Sequence, residues 1–404
     1  MALRYVPRIL EQTIRWSVGK FPVVVLLGPR NAGKTTLLRR LFSKTHNYVP
    51  LERADIRSFA NADPQGFLNS CPAPVILDEI QYAPALMKYV NGRIAPGRFG
   101  QFLLTSSQNI AKAVTNSFGG KAGVFRLLPI SMREIWNGDS SPLPWEVHHE
   151  DEQYLFCDTR QDIYKRFIRG LYPEIVAYPG RDAIPCQSSY YQSYLDRDVR
   201  CLRKIEDITQ FENFYRLLAT RNGQRIDLTE IANNLGVAVN TVKAWLSVLE
   251  NTFQIIVIEP YIGSLRTRQI KTPKVYFIDT GIVCHLTGLK DADHAAHGPM
   301  AKTLFETAVL LEITKALVNR GEIPQVYYWR TVAGAEVDFI VEAGGKLVPI
   351  DISLSTMPDC ALAKNIRKFQ AVCPDCAADG FLIHPEDTLQ EIDERVTALP
   401  FSHL

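Results

Sequence analysis

The chain has 404 residues, of which 46% are hydrophobic and 22% are charged, so we expect two or three domains with hydrophobic cores. Its net charge of +2 is too small to attract nucleic acid through overall charge, so any nucleic-acid binding would need a local basic patch. No apolar stretch is long enough to span a bilayer, no signal-peptide core begins the chain, and the eight cysteines are scattered as reduced thiols usually are, so we expect a cytoplasmic protein with no membrane partner.

A glycine-rich loop near the N-terminus is the most informative segment. Residues 28–35 read G-P-R-N-A-G-K-T and follow the apolar run Val23–Leu27. A buried strand, a glycine-rich turn and a helix that opens at Thr35 are the context of a phosphate-binding P-loop. Lys34 would contact the β- and γ-phosphates of ATP, and the Thr35 hydroxyl would bind Mg²⁺. The predicted nucleotide-binding residues are Gly28, Pro29, Arg30, Asn31, Ala32, Gly33, Lys34, Thr35 and Thr36.

Two acidic residues follow the next apolar run, Pro74–Leu77. Such a run fits a strand buried on both faces of a parallel sheet, with Asp78 and Glu79 at its carboxyl end. Asp78 would bind Mg²⁺ directly or through water, and Glu79 would be the general base that polarises the attacking water. The alternative is a strand that ends in two solvated acids, and the preceding P-loop makes it the less favoured interpretation.

A third apolar run, Gly100–Leu104, ends in Thr105, Ser106 and Ser107. A hydroxyl at this strand end could contact the γ-phosphate or the lytic water, and the sequence does not decide between Thr105 and Ser107. Capping of the strand end is an equal alternative for these hydroxyls. Apolar strands that alternate with helical segments predict a parallel α/β ATPase core over residues 1–136.

The next two predicted regions are largely helical. Residues 137–144 read N-G-D-S-S-P-L-P, which is typical of a loop, and tyrosine-rich helical sequence follows, so residues 137–205 are predicted to form a lid or linker. Residues 206–262 predict a helix-turn-helix and a strand, as in a winged helix. Asp227 fits the first N-cap, Gly236 fits the turn, and Asn240 fits the cap of the second helix.

The second helix of that module would expose only one basic residue, Lys243, so DNA or RNA binding would need charges from its flanks. A packing module or ATPase lid with no nucleic-acid role is an equal alternative. The flanking candidates are Arg221, Arg225, Arg266, Arg268, Lys271 and Lys274.

The last region, residues 263–404, predicts an α/β domain. Glu306 lies in an amphipathic helix, Asp338 in a hairpin strand and Asp351 in the following strand, and the three acids could meet around a divalent cation. A nuclease of the restriction-endonuclease type has a lysine two positions after the last acid, where this chain has Ser353. We therefore expect a vestigial metal site whose carboxylates repel each other for want of a nearby cation. Either a divalent ion occupies this site, or one acid is protonated or points away into its own hydrogen bonds, and we expect no nuclease activity.

Over nearly its whole length the chain resembles a prokaryotic family that joins an AAA-type, archaeal-ATPase-like P-loop domain to a C-terminal domain of unknown function. The matching segments, in family order, are residues 28–35, 77–81, 103–107, 128–131, 194–198, 274–281 and 336–339. The resemblance implies an α/β fold in which a P-loop parallel sheet is followed by a helical lid, a winged-helix segment and a restriction-endonuclease-like C-terminal domain. It also implies nucleotide binding and hydrolysis, but no biological task.

The chain departs from that family at two places near the nucleotide. Ser106 replaces a common glycine, and Gly120-Lys121 replaces a common Gly-Arg, so that Arg126 or Arg197 could substitute as an arginine finger. Because AAA-type sites usually take an arginine from a neighbouring subunit, we expect an ATP-promoted homo-oligomer. The prediction is a Mg²⁺-dependent ATPase whose hydrolysis moves the helix-turn-helix and C-terminal domains, with an unidentified protein partner. The alternative is a nucleotide-gated module that binds or processes nucleic acid with little turnover.

Overall fold

The computed structural model describes residues 4–136, 138, 142–146, 159–200, 205, 207–262 and 272–404. Half of the predicted loop at residues 137–144 lies outside these ranges, as do three of the candidate phosphate contacts, Arg266, Arg268 and Lys271. Within these ranges, no helix combines the length and the apolar character that crossing a membrane requires.

The N-terminal region is built on a five-stranded parallel sheet, which confirms the predicted α/β core. Alternate residues of the first strand enter two separate hydrophobic cores, one on each face of the sheet. The strands are β1 (Val23–Leu27), β2 (Asn47–Pro50), β3 (Val75–Asp78), β4 (Phe102–Ser106) and β5 (Ala122–Arg126). The helices are α1 (Leu10–Val18), α2 (Lys34–Phe42), α3 (Ala54–Ala62), α4 (Pro64–Ser70), α5 (Leu86–Gly92), α6 (Ala111–Phe118) and α7 (Met132–Ile135).

The strand order of this sheet is β2-β3-β4-β1-β5, so β4 lies between the P-loop strand and the strand that ends in the acids. Leu27 pairs with Ser106, and Leu77 pairs with Leu104. Because the strands are parallel, their carboxyl ends meet at one edge, where loops of an α/β sheet bind ligands. The residues that follow β1, β3 and β4 therefore converge there.

The middle region is mainly helical and contains a two-stranded antiparallel ladder of β6 and β7, which two further helices follow. A π-helical turn over Leu195–Val199 continues α10. The helices are α8 (Arg160–Arg169), α9 (Pro173–Ala177), α10 (Ala183–Tyr194), α11 (Ile208–Thr220), α12 (Leu228–Leu235), α13 (Val239–Asn251), α14 (Thr280–Thr287) and α15 (Ala292–His297). The strands are β6 (Ile255–Ile258) and β7 (Lys274–Phe277).

The capping predictions for the helix-turn-helix segment were right at two of three positions. The Asp227 carboxylate accepts the backbone N–H groups of Thr229 and Glu230, and Gly236 ends α12 in the left-handed conformation. The prediction for Asn240 was wrong, because the N-cap of α13 is Ala238 and Asn240 lies inside the first turn. Ala238 offers no side-chain acceptor, so this helix begins without a side-chain cap.

The C-terminal region packs helices on a six-stranded mixed sheet of order β12-β13-β11-β10-β9-β8. The pairs β8–β9, β9–β10 and β12–β13 are antiparallel, whereas β10–β11 and β11–β13 are parallel. The helices are α16 (Ala301–Asn319) and α17 (Lys364–Val372). The strands are β8 (Val326–Arg330), β9 (Glu336–Ala343), β10 (Lys346–Ile352), β11 (Gly380–His384), β12 (Gln390–Asp393) and β13 (Val396–Pro400).

One hydrophobic core runs through the middle and C-terminal regions, from Leu143 through Phe214 and Phe305 to Leu404. The predicted boundary between residues 262 and 263 falls between β6 and β7, which pair with each other. Phe253, by contrast, is buried in one of the two cores of the N-terminal sheet. The cysteines are not all reduced as expected, since Cys373 and Cys376 form a disulfide.

Candidate functional site

The loop between β1 and α2 has the backbone that a phosphate cradle requires. Gly28 and Gly33 have φ values of 151° and 96°, and Asn31 also has a positive φ. A Cβ on Gly28 would lie 2.0 Å from the carbonyl oxygen of Leu127. The helix starts at Lys34, one residue before the predicted start, so the unpaired N–H groups of its first turn and their positive partial charge face the loop.

A cavity of about 500 Å³ lies in front of this helix start. Arg30 through Thr36 line it, together with Asp78 and Glu79 from the end of β3 and residues of the N-terminal segment and α9. Of the nine predicted nucleotide-binding residues, Gly28 and Pro29 do not line the cavity. Their carbonyl oxygens instead hold the lysine of the loop.

Lys34 is 4% exposed, and its Nζ donates to the carbonyl oxygens of Gly28 and Pro29 at 2.9 Å each. The same Nζ lies 3.8 Å from Glu79 Oε1. Burial lowers the pKa of Lys34, and the carboxylates of Glu79 and Asp78 oppose that shift. An anion that entered the cavity would supply the strong charge partner that the carbonyl groups do not.

Asp78 and Thr35 meet as a magnesium site would require. Thr35 Oγ1 donates to the two carboxylate oxygens of Asp78 at 2.8 and 3.0 Å. Thr105 Oγ1 and Tyr48 OH also donate to Asp78, at 2.6 and 2.8 Å. A hydroxyl and an oriented carboxylate are oxygen ligands that Mg²⁺ accepts. Tyr48, on β2, was missed in the sequence because a strand tyrosine carries no signal of its own.

Glu79 has the strained backbone and the ionised carboxylate expected of a functional acid. Its φ is 58°, an uncommon value for a residue with a side chain. Its Oε2 accepts the Ser107 N–H at 2.9 Å and the Gln81 amide. Burial opposes ionisation, but Lys34 and the hydrogen bond from Gln81 outweigh it and lower the pKa of Glu79. The ion pair favours the charged form of both residues. At Glu79 burial is outweighed by this attraction and the hydrogen bonds, so the pKa falls, whereas at Lys34 burial is the larger effect and the pKa falls despite the attraction.

The two hydroxyl candidates after β4 have different surroundings. Thr105 Oγ1 accepts the backbone N–H of Glu79 at 2.8 Å while it donates to Asp78, so it orients both acids. Ser107 Oγ accepts from the Gln81 amide at 2.8 Å and lies 3.4 Å from Asp198 Oδ1. Both are buried behind the acids and neither lines the cavity. The structure thus gives them contacts with Asp78, Glu79 and the segment after α10.

The predicted arginine fingers do not enter the cavity. Arg197 is exposed and donates to Glu52 at 2.6 Å, and Arg126 lies at the end of the edge strand β5. Lys121 Nζ donates to Asn91 Oδ1 at 3.3 Å. The arginines that do line the cavity are Arg4 and Arg8, near the N-terminus, and Arg30, inside the P-loop itself. Of these three, the sequence predicted only Arg30 as a nucleotide-binding residue.

The three C-terminal acids come together as predicted, but they are not without a cation. A cavity of about 680 Å³ is lined by Glu306, Asp338 and Asp351. Lys274 Nζ lies 3.4 Å from Glu306 and 3.8 Å from Asp338, and Lys302 Nζ lies 3.5 Å from Asp338. The expectation of unbalanced carboxylates was therefore wrong. Lys274 belongs to β7, and only tertiary packing brings it to α16 and β9.

Further contacts tie this carboxylate cluster, Glu306, Glu336, Asp338 and Asp351, to its surroundings. Lys274 Nζ lies 2.7 Å from Glu336, which also pairs with Arg330. Burial and Asp338 raise the pKa of Glu306 to about 7, and they raise the pKa of Asp351 well above its ordinary value. Over the residues that the structure describes, no group of three or more acids, histidines or cysteines is arranged to hold a metal ion. The cluster does not need one for charge balance.

Three of the six basic residues proposed for nucleic-acid contact lie among the described residues, and two of these three form ion pairs within the protein. Lys274 is 4% exposed inside the carboxylate cluster, and Arg221 pairs with Glu230 at 2.5 Å. Arg225 lines the 680 Å³ cavity. On α13 the exposed face offers Asn240, Lys243 and Ser247, with one positive charge. This surface lacks the row of basic side chains with which proteins usually bind phosphate backbones.

Three family models match successive parts of the chain. An AAA domain matches residues 20–136, a domain of unknown function (DUF8612) matches residues 160–293, and another (DUF4143) matches residues 301–404. This first match and the geometry of the loop after β1 both support a P-loop ATPase domain in the N-terminal region. The descriptions of the other two name no activity, so the winged-helix and restriction-endonuclease-like assignments stay predictions.

Similar proteins extend over most of the chain. Uncharacterized proteins of Mycobacterium bovis and Mycobacterium tuberculosis are each 24% identical over 392 residues, which is 96% of this chain and 82% of theirs. Among solved structures, a Walker-type ATPase of Pyrococcus abyssi has a TM-score of 0.44 and 13% identity, over 69% of this chain and 94% of that chain. A signal transduction ATPase of Pyrococcus horikoshii, with a tetratricopeptide repeat sensor, has a TM-score of 0.27 and 13% identity, over 78% of this chain and 47% of that one.

Proposed function

We propose that the chain binds ATP with Mg²⁺ in the cavity at the start of α2 and hydrolyses it. One observation carries this proposal: Lys34, the Thr35–Asp78 pair and an ionised Glu79 surround a single cavity at a helix N-terminus. The loop N–H groups and Lys34 would hold the β- and γ-phosphates. Thr35 and Asp78 would hold Mg²⁺, which neutralises charge on the phosphate oxygens.

Glu79 is the group placed to activate water. Its pKa is lowered, so at neutral pH it can accept a proton or orient a water molecule for attack on the γ-phosphate. The Ser107 N–H fixes one carboxylate oxygen, and Thr105 fixes the backbone of Glu79. These contacts set the direction of the carboxylate before any substrate binds, which is how enzymes lower the cost of reorganisation.

We also propose that nucleotide turnover moves the helix-turn-helix and C-terminal regions. The loop after β4 supports this, because the backbone N–H of Asn109 donates to the carbonyl of Asn251, at the end of α13, at 2.7 Å. Phe253, two residues later, packs in a core of the ATPase sheet. A displacement of the loop after β4, which carries Ser107, would therefore displace the end of α13 as well. In the C-terminal region we propose a restriction-endonuclease-like fold retained without hydrolytic chemistry, because its described acids are not arranged to hold a metal ion.

A nucleotide switch with negligible turnover is the competing function. It would use the same cavity, but Glu79 would then have no chemical role. Steady-state ATPase activity separates the two, because a switch binds ATP without releasing phosphate at an appreciable rate. Activity measured with and without DNA or RNA, at several salt concentrations, would show whether nucleic acid has any part in the cycle.

The first experiment concerns binding. Lys34→Ala should weaken MgATP binding by at least about tenfold, because a charge-assisted contact with phosphate is lost from a buried site. Isothermal titration calorimetry of the purified full chain measures this. Lys44→Ala is the matched control, since Lys44 is exposed beyond the end of α2. ATP affinity equal to that of the unaltered chain in Lys34→Ala would contradict the assignment of the cavity.

A further inference from the structure

Arg30, the third residue of the P-loop, places a guanidinium in the nucleotide cavity. Its side chain is 10% exposed, and each of its three nitrogens is held by an oxygen of the protein. Nε donates to Asp198 Oδ2 at 2.9 Å, and the terminal nitrogens donate to Glu52 Oε1 and Tyr82 OH, each at 3.2 Å. A planar fork of donors beside a phosphate cradle is suited to bind phosphate oxygens.

Asp198 connects this arginine to the catalytic acids. It lies in the π-helical turn Leu195–Val199 and is 3% exposed. Its second oxygen is 3.4 Å from Ser107 Oγ, and the Ser107 N–H donates to Glu79. A continuous series of contacts therefore runs from Arg30 through Asp198 and Ser107 to Glu79. Single turns of π-helix often occur at functional positions.

A triphosphate would compete with Asp198 for the guanidinium. Arginine binds phosphate at least as well as carboxylate, because both present paired oxygens to the same fork. The γ-phosphate would also bring negative charge close to the Asp198 carboxylate, and like charges in a buried site repel strongly. ADP has no γ-phosphate, so it would not displace Asp198 from Arg30.

We propose that Arg30 is a γ-phosphate ligand supplied within the same chain, and that Asp198 is the positioning residue that holds it when no triphosphate is bound. The proposal rests on the proposed ATP site and adds to it a means of distinguishing ATP from ADP. Release of Asp198 by ATP would free the π-helical turn that follows α10, so the middle region would respond to the γ-phosphate. The site would then need no arginine from a neighbouring subunit.

Affinities for MgATP and MgADP, measured by calorimetry on the full chain, test this assignment. Arg30→Ala should weaken ATP binding by at least about tenfold and change ADP binding by less than about twofold. Asp198→Asn should strengthen ATP binding relative to ADP by several-fold, because the competing charge is gone. The matched controls are Arg200→Ala and Asp196→Asn, whose exposed side chains pair with each other in the same turn, and they should leave the ATP-to-ADP ratio unchanged.

The outcomes separate this inference from the proposed function. If the unaltered chain binds neither nucleotide, the ATP site itself is wrong. If it binds both, and neither Arg30→Ala nor Asp198→Asn changes the ratio, the ATP site stands and the role of Arg30 is overturned. If Arg30→Ala loses ADP binding through misfolding, the test rests on Asp198→Asn. An unchanged ratio of ATP affinity to ADP affinity in that variant overturns the proposal, and an increased ratio supports it. Turnover per chain that rises with protein concentration would also contradict a ligand supplied within one chain.

Discussion

The P-loop cavity and the carboxylate cluster each bury a lysine beside acidic groups, yet they differ in how many carboxylates compensate the charge of that lysine. Lys34 is held by two carbonyl oxygens, with one carboxylate at 3.8 Å. Lys274 has three carboxylates within that distance. Burial lowers the pKa of Lys34, whereas at Lys274 the carboxylates, Glu306 foremost, outweigh burial and raise it.

The difference shows that the groups around a buried lysine determine whether the site can still bind an anion. Two neutral carbonyl groups and one carboxylate at 3.8 Å compensate the charge of Lys34 less fully than three carboxylates would, and the helix start adds positive potential to the same cavity. The carboxylates around Lys274 balance it within the protein. The first site is therefore suited to phosphate, and the second to joining β7 to the C-terminal sheet.

The largest expected effect is on stability, at Lys274. Lys274→Met should lower the free energy of unfolding by about 3–5 kcal/mol, because it leaves buried carboxylates without their cation. Urea denaturation followed by circular dichroism measures this. Lys302→Met is the control: its side chain is 56% exposed, so the loss should stay below about 1 kcal/mol. Equal losses in the two variants would contradict the structural role given to Lys274.

The next effect is on catalysis, at Glu79. Glu79→Gln should reduce steady-state ATP hydrolysis by at least about a hundredfold while ATP stays bound, because the amide cannot act as a general base. A phosphate-release assay measures the rate, and calorimetry measures the affinity. Glu391→Gln, at an exposed position on β12, serves as the control. Normal turnover in Glu79→Gln would mean that another group positions the water.

A smaller effect concerns pH and the carboxylate cluster. The pKa of Glu306 is raised from 4.5 to about 7, so between those values the folded chain binds a proton that the unfolded chain has released. This residue therefore destabilises the fold progressively as the pH rises through that range. The free energy of unfolding of the unaltered chain, minus that of Glu306→Gln, should fall by roughly 1–3 kcal/mol from pH 4.5 to above 7. A difference independent of pH would contradict the raised pKa.

The smallest expected effect is zero. No cleavage of single- or double-stranded DNA above background is expected with Mg²⁺ or Mn²⁺, because no group of acids among the described residues is arranged to hold a metal ion. A gel assay with a supercoiled plasmid and a labelled oligonucleotide measures this. Metal-dependent cleavage that disappears in Asp338→Ala would contradict it and would make nuclease activity the first hypothesis for the C-terminal region.

The parts of the fold that the sequence predicted are those with local signals. The continuous apolar runs of β1, β3 and β4 predicted buried parallel strands, and each strand is fully buried. The cap at Asp227 and the turn at Gly236 were also local, since each depends on neighbouring backbone groups. The cap predicted at Asn240 was wrong, because the N-cap of α13 lies two positions earlier, at Ala238, which has no side-chain acceptor that could signal a cap.

The sequence by itself predicted the main elements of the P-loop cavity, because the glycine-rich loop, the helix start and the acids at a strand end are each encoded within a few consecutive residues. Tertiary structure decided which side chains complete each site. Asp198 contacts Arg30, which is 168 positions away in the sequence; Tyr48 and Asp78 are 30 positions apart, and Lys274 and Glu306 are 32 positions apart. Such pairs depend on how strands and helices pack, and no local pattern of residues specifies which distant charge will balance a buried one.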